Sequence, residues 1–510
     1  MINPQMIQFD ITHHFELIQK LHKSGRTKEA ISAAENASQL FPEEYLFKLL
    51  KNLLIPIVYK APDEISLYRQ RFEQGLKKLI QQISLNAPEE KTKALEGITH
   101  VTNFYLAYQA GNDRELQRQY GNLVHQIAAA NYPNWVKPRS MPPLGKNQKI
   151  RVGYISGYLH NHSGTYWLLG WLRYCDREKF EIYCYYIQNQ PDTITRNFQE
   201  YSDVFYHISG NIEAVCQQIL TDDLHILVFP ELGIDALTFS IAGLRLAPVQ
   251  CTDWGYPVTS GIPTLDYYIS SKLMEPENAQ EHYTETLICL PNLGIAYPKI
   301  DVPLSTKNRS DFGLRDDAVV YLCCQAPYKY LPQHDFIFAE IAQRVPQGQF
   351  VFVRAELLQQ RLQETFAAVG KNSRDYCVFI PFLNHENYLR LNSISDVCLD
   401  TLGFTGGNTT LAALACNLPV VTCPGKFMRG RMSYGMLKML RLSETIAKNE
   451  AEYIEIAVRL GLEPEWRQQI VQHIAEYKDC LFDDKVSVAA LEEFYQKVVR
   501  EHLTQSKGYL

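Results

Sequence analysis

From Ile150 to Cys423 short apolar runs recur, each followed by a stretch of helical texture. That alternation constrains the fold more than any other feature of the 510-residue chain. The runs "IRVGYIS", "FEIYCYYI", "LHILVFP", "PVQCTDW", "DYYIS" and "TLICLP" form a first series. After "YPKIDVPLSTKNRSDFGLRDD" a second series follows: "AVVYLCC", "QFVFVR", "YCVFIP", "SDVCLD" and "LPVVTC". Buried strands alternating with helices predict parallel pairing, because a crossover of helical length brings the chain back in the same direction. Two such series predict an α/β protein with two consecutive Rossmann-like domains, and a ligand cleft at the carboxyl ends of their strands.

The chain ahead of Ile150 has no such alternation and reads as helical throughout. In "FELIQKLHKSGRTKEAISAAENASQLFPEE", Gly25, Ala30, Ala34, Ala37 and Pro42 fall at the spacings of a tetratricopeptide helix pair. A single such unit cannot bury its own face and must lean on the helices that follow. The Pro/Gly/Lys stretch "VKPRSMPPLGKNQK" marks the change of texture. The expected domains are a helical, tetratricopeptide-like one at 1–146, a first Rossmann-like domain at 147–306, and a second at 307–510 with closing helices.

With 46% hydrophobic and 21% charged residues, the composition is that of a soluble globular protein. A formal net charge of −6 offers no basic field for nucleic acid. The N-terminus lacks a secretory signal pattern, and no apolar run reaches the roughly 18 residues of a membrane span. The twelve cysteines lie between Cys175 and Cys480 without a C-x-x-C pair, which reads as reduced thiols of a cytoplasmic protein.

Chemistry is expected in the polar residues just past the strand ends. "GFTGGNTTLAALACNLPV", Gly403 to Val420, joins a glycine-rich turn to a helix start, with Asn408 as the expected N-cap. A helix start of this kind leaves amide N–H groups unpaired at the positive end of the helix dipole, where anions are held. Lys329, after "VYLCC", is a compact positive charge for a diphosphate if directed into the same cleft. His160 and His162 follow the first strand as a candidate base or substrate-orienting pair, with no further ligands nearby to make a metal site. His225 opens a strand, where a structural role is commoner than catalysis. No G-x-G-x-x-G, G-x-x-x-x-G-K-[ST] or G-x-S-x-G string follows a suitable strand, which demotes nicotinamide, P-loop and serine-hydrolase chemistry.

"IRVGYISGYLHNHSG", "HILVFPELG", "LAPVQCTDWGYPVTSGIPTLDYYIS", "YKYLPQHD", "SDVCLDTLGFTGGNTTLAALACNLPVVTCPG" and "RGRMSYGML" together resemble the catalytic region of the O-GlcNAc transferase and SPINDLY family. The resemblance runs over about residues 148 to 500 in the family's order. It implies a GT-B fold and an inverting glycosyltransferase that needs neither metal nor other cofactor. Such an enzyme moves a sugar, most often GlcNAc from UDP-GlcNAc, to serine or threonine hydroxyls of an acceptor protein. It also implies that Lys329 and the Gly407, Asn408, Thr409 and Thr410 turn meet the diphosphate, that Gln325 contacts the nucleotide, and that His162 and then His225 are the candidates for the base. Asn408 stands where family members often have histidine, Ala413 where a ribose-binding aspartate is found, and Tyr388 where the animal enzymes use a base-side histidine, with His385 as a substitute. The departures leave UDP-glucose or GDP-fucose open as donors, and leave open a catalytically silent scaffold or an enzyme acting on another acceptor.

Overall fold

The computed structural model describes residues 4–507. Helices Pro4–Lys23 and Thr27–Leu40 pack together where Ala30, Ala34 and Ala37 are completely buried. Small side chains let two helices approach closely, and Phe47 and Leu50 of the next helix, Tyr45–Leu53, close this small core. Helices Pro62–Gln82, Pro88–Ile98 and Arg114–Asn131 complete the helical front, whose larger core is continuous with that of the following α/β region.

Seven strands make the first sheet: β1 (Ile150–Ser156), β2 (Phe180–Tyr186), β3 (Val204–His207), β4 (Ile226–Phe229), β5 (Val249–Asp253), β6 (Tyr267–Ser271) and β7 (Thr286–Leu290). They pair in the order β3-β2-β1-β4-β5-β6-β7. The second sheet holds β8 (Val319–Cys323), β9 (Gly348–Val353), β10 (Cys377–Ile380), β11 (Val397–Leu399) and β12 (Val420–Val421), ordered β10-β9-β8-β11-β12. Every strand pair is parallel. The strands read as unbroken apolar runs because both faces are covered by helices. The two edge strands of the first sheet are partly exposed: β3, "VFYH", carries too weak an apolar signal to be read as a strand beforehand, whereas β7, "TLICL", keeps three aliphatic residues and is legible.

Two features of this architecture place the site. Strand order reverses between β1 and β4 and again between β8 and β11, and a crevice opens at the carboxyl end of each such switch point. The last helix, Lys485–Lys507, crosses back to the first sheet, where the Tyr495 hydroxyl lies 3.3 Å from that of Tyr154 and Phe494 packs edge-on to Tyr267. The fold is that of a GT-B protein with a helical, tetratricopeptide-like front. Among the described residues no helix is long and apolar enough to cross a membrane.

Candidate functional site

At the second switch point, the segment after β8 faces the segment after β11. A short turn, Pro327–Lys329, brings the Lys329 Nζ to the Thr405 carbonyl oxygen at 2.8 Å and 4.5 Å from the centre of the Phe404 ring. Asp400, buried just past β11, shapes the glycine turn: its Oδ1 accepts the N–H of Thr401 (3.0 Å) and of Gly406 (2.8 Å), and its Oδ2 accepts the Thr422 hydroxyl (2.8 Å). Gly406 has no room for a side chain, since a Cβ there would lie 2.3 Å from Thr410 Oγ1 and 2.5 Å from Gln325 Nε2.

Gly407 then caps the helix Asn408–Ala415, its carbonyl accepting the N–H groups of Thr410 and Leu411, each at 3.1 Å. The expected cap was Asn408, but its amide instead donates across the cleft to the Ser163 carbonyl (3.0 Å). The open N–H groups are therefore those of Gly407, Asn408 and Thr409, which have no protein acceptor among the described residues. Thr410 turns inward, where its N–H is taken by Gly407 and its hydroxyl meets Ser433 at 2.8 Å. The run of open N–H groups thus begins one residue earlier than Asn408–Thr410. Gln325 is buried beneath this turn, accepting from the Thr409 hydroxyl at 2.9 Å, with its Nε2 3.4 Å from Asp400.

Burial pushes the Lys329 ammonium down to about 8, although Asp400 and Cys324 favour its charge. Burial likewise pushes Asp400 up to about 6, opposed by the Ser433 and Thr422 hydroxyls, the Gly406 N–H and Lys329. An incoming anion would add to the countercharge that Asp400 supplies and favour the charged lysine further.

Across the cleft, the loop after β1 carries both histidines. The His162 ring stacks on Tyr158, centres 3.9 Å apart and 18° from parallel. Its Nδ1 accepts the Gly164 N–H at 3.1 Å, so the neutral ring carries its proton on Nε2, which has no partner among the described residues. Burial, and then the neighbouring His160, push His162 down to about 4, so the ring is neutral near pH 7. His160 is engaged elsewhere, its Nδ1 3.0 Å from the Tyr186 hydroxyl. Behind this loop two carboxyls are wholly buried at neighbouring strand ends. Glu231 Oε1 accepts the Gly157 N–H (3.3 Å) and Asp253 Oδ1 the Gly255 N–H (2.9 Å). Burial raises both, Glu231 to about 8 and Asp253 well above the ordinary carboxylate range, with Asp235 adding to the first shift and Glu231 to the second.

Three expected residues are not gathered here. His225 precedes β4 and so lies at the amino end of the sheet, the end opposite the cleft. It is fully buried, and its Nδ1 accepts the Arg151 N–H at 3.0 Å. The Tyr388 hydroxyl points inward to the thiols of Cys324 and Cys398. His385 is exposed at the first turn of the helix His385–Ile394. Asp400, Glu231 and Asp253 were passed over in the sequence because each sits in or beside an apolar run. The available signal is position: each follows or ends a strand at the carboxyl edge of its sheet.

Two parallel doubly wound sheets facing one cleft, with unpaired N–H groups and a lysine on one wall, define a protein of GT-B architecture with a crevice suited to an anion. The chain belongs to glycosyl transferase family 41, whose model matches residues 70–296 and 294–491. It is 26% identical over 402 residues to the probable UDP-N-acetylglucosamine–peptide N-acetylglucosaminyltransferase SEC of Arabidopsis thaliana, covering 76% of this chain and 41% of that one. To the probable enzyme of the same kind named SPINDLY from Petunia hybrida it is 25% identical over 374 residues, covering 70% and 39%. The chain thus spans about two fifths of the length of these curated relatives. A variant of the Thermobaculum terrenum O-GlcNAc transferase shares the fold with a TM-score of 0.67 and 21% identity, over 99% of this chain and 100% of that one.

Proposed function

We propose that the protein transfers a sugar, GlcNAc from UDP-GlcNAc first among the candidates, to serine or threonine hydroxyls of an acceptor protein, with inversion and without a metal ion. The observation that carries this reading is the set of open N–H groups at Gly407, Asn408 and Thr409 beside Lys329. As the glycosidic bond breaks, negative charge grows on the departing diphosphate. Donors fixed in place beforehand stabilise that charge more in the transition state than in the ground state. In this proposal Lys329 and the positive end of the helix Asn408–Ala415 neutralise the diphosphate.

The acceptor hydroxyl enters from the His162 side. With its proton on Nε2, His162 orients by donating a hydrogen bond, and the acceptor proton passes to an oxygen of the leaving diphosphate. Calorimetry with UDP, GDP and their GlcNAc, glucose and fucose sugars, followed by transfer to a protein acceptor, tests the reading. One diphosphate is expected to bind and one sugar to transfer; absence of any nucleotide binding would leave the scaffold reading in its place.

A further inference from the structure

The glycine turn is held partly from outside its own sheet. Arg429 lies in the short turn Met428–Gly430, and its carbonyl oxygen accepts both the Thr405 N–H (2.8 Å) and the Thr405 hydroxyl (3.1 Å). Thr405 presents the carbonyl that receives Lys329 Nζ, and its hydroxyl oxygen accepts the Met432 N–H at 3.0 Å. The two backbones touch nearby: a Cβ on Gly430 would sit 2.9 Å from the Gly403 carbonyl oxygen. Where the Arg429 backbone goes, Thr405 and the lysine's acceptor must follow.

The Arg429 side chain runs the other way, into the helical front. Its guanidinium donates to the Ala107 carbonyl (2.9 Å), the Gly111 carbonyl and Asp113 Oδ2 (3.0 Å), across 316 to 322 residues of sequence. Arg429 and Asp113 are both buried, and a buried guanidinium without its carboxylate is strongly destabilising, so the pair fixes the arginine firmly. Asp113 is shared, because its Oδ1 also accepts Arg69 Nη1 at 2.7 Å. Among the described residues Arg69 otherwise bonds only Gln109 and the Asn112 carbonyl, and it donates no hydrogen bond to the glycine turn.

We infer that Asp113 and Arg429 are positioning residues of the donor site, through which the helical front sets the place of Thr405, Lys329 and the open N–H groups. This rests on the diphosphate reading of that site. It gives the helical front a part in the chemistry separate from any contact with an acceptor. Displacing a catalytic group by about 1 Å costs up to about 100-fold, so a slack anchor should register in donor binding and turnover.

Arg69 supplies the matched control, since Arg69→Met and Arg429→Met each remove one guanidinium from the same carboxylate. UDP and GDP binding by calorimetry, with thermal midpoints, would be measured for wild type, both Met variants and Arg429→Lys. Arg429→Met should weaken the bound nucleoside diphosphate about 10- to 100-fold. Arg429→Lys should recover part of that loss, and Arg69→Met should lower the midpoint while holding affinity within about 2-fold. Equal losses in the two Met variants, or unchanged affinity in Arg429→Met, would overturn the inference while leaving the diphosphate reading intact. Failure of the wild type to bind either nucleotide would overturn both. If Arg429→Met does not fold, Asp113→Asn carries the same comparison.

Discussion

At the strand ends of the first sheet the chain buries two carboxyls, Glu231 and Asp253; at those of the second it opens three amide N–H groups beside Lys329. The two sheets share a parallel, doubly wound topology with a switch point at the same step. Topology therefore supplies two crevices and does not choose between them. The choice is electrostatic: buried acids that resist ionisation offer an anion nothing, whereas a lysine held down to about 8 gains from one. In the proposed reading, that difference favours the second wall for the diphosphate and leaves the first to the neutral acceptor hydroxyl.

The largest test of this division is Lys329→Met, which should cut sugar transfer about 1000-fold with the thermal midpoint preserved. Lys329 is charged below about 8 in the free protein, so kcat/KM should fall as pH rises through that value. A bound diphosphate holds the proton more tightly, so kcat should fall only at higher pH. An alkaline limb that is the same in wild type and Lys329→Met would break the assignment. On the opposite wall, His162→Ala should cost about 100-fold by removing the Nε2 donor. Because the wild-type ring already sits near 4, an acid limb belonging to it would lie near that pH, and the profile from about 3.5 to about 7.5, spanning that value and the ordinary imidazole range, should keep its shape. Loss of an acid limb in the variant would instead make His162 the base.

Smaller effects sharpen the boundary between the walls. Asn408→Ala removes the hydrogen bond to Ser163 and should cost about 5-fold in kcat/KM, the worth of one net hydrogen bond. A much larger loss would mean that the bridge, rather than the N–H groups, organises the turn. The least effect on turnover is expected from His225→Gln, under about 3-fold, with about 1–3 kcal/mol of stability lost with the buried acceptor for the Arg151 N–H. A severe loss of transfer at unchanged stability would return His225 to the reaction.

Much of this contrast is legible in the chain itself. The glycine–threonine turn and Lys329 announce themselves because backbone requirements and an isolated charge leave marks at short range. The misplaced candidate, His225, was also marked: a residue opening a parallel strand lies away from the carboxyl-end cleft, and that rule outweighs similarity of the surrounding string. Asn408 shows the limit. Asn at a helix start reads as a cap, but an exposed carbonyl from the other sheet, 245 residues away, takes its amide.

By itself the sequence determined the two parallel sheets, the helical front and the presence of a glycine–threonine helix start at a strand end, since each follows from periodicity or from local backbone geometry. Tertiary structure alone decided which N–H groups remain open, which nitrogen of His162 carries the proton, and that Asp113 in the front anchors Arg429 behind the turn. Those outcomes depend on hydrogen-bond partners brought together from distant parts of the chain, and a buried donor or acceptor is settled by whichever partner packing delivers.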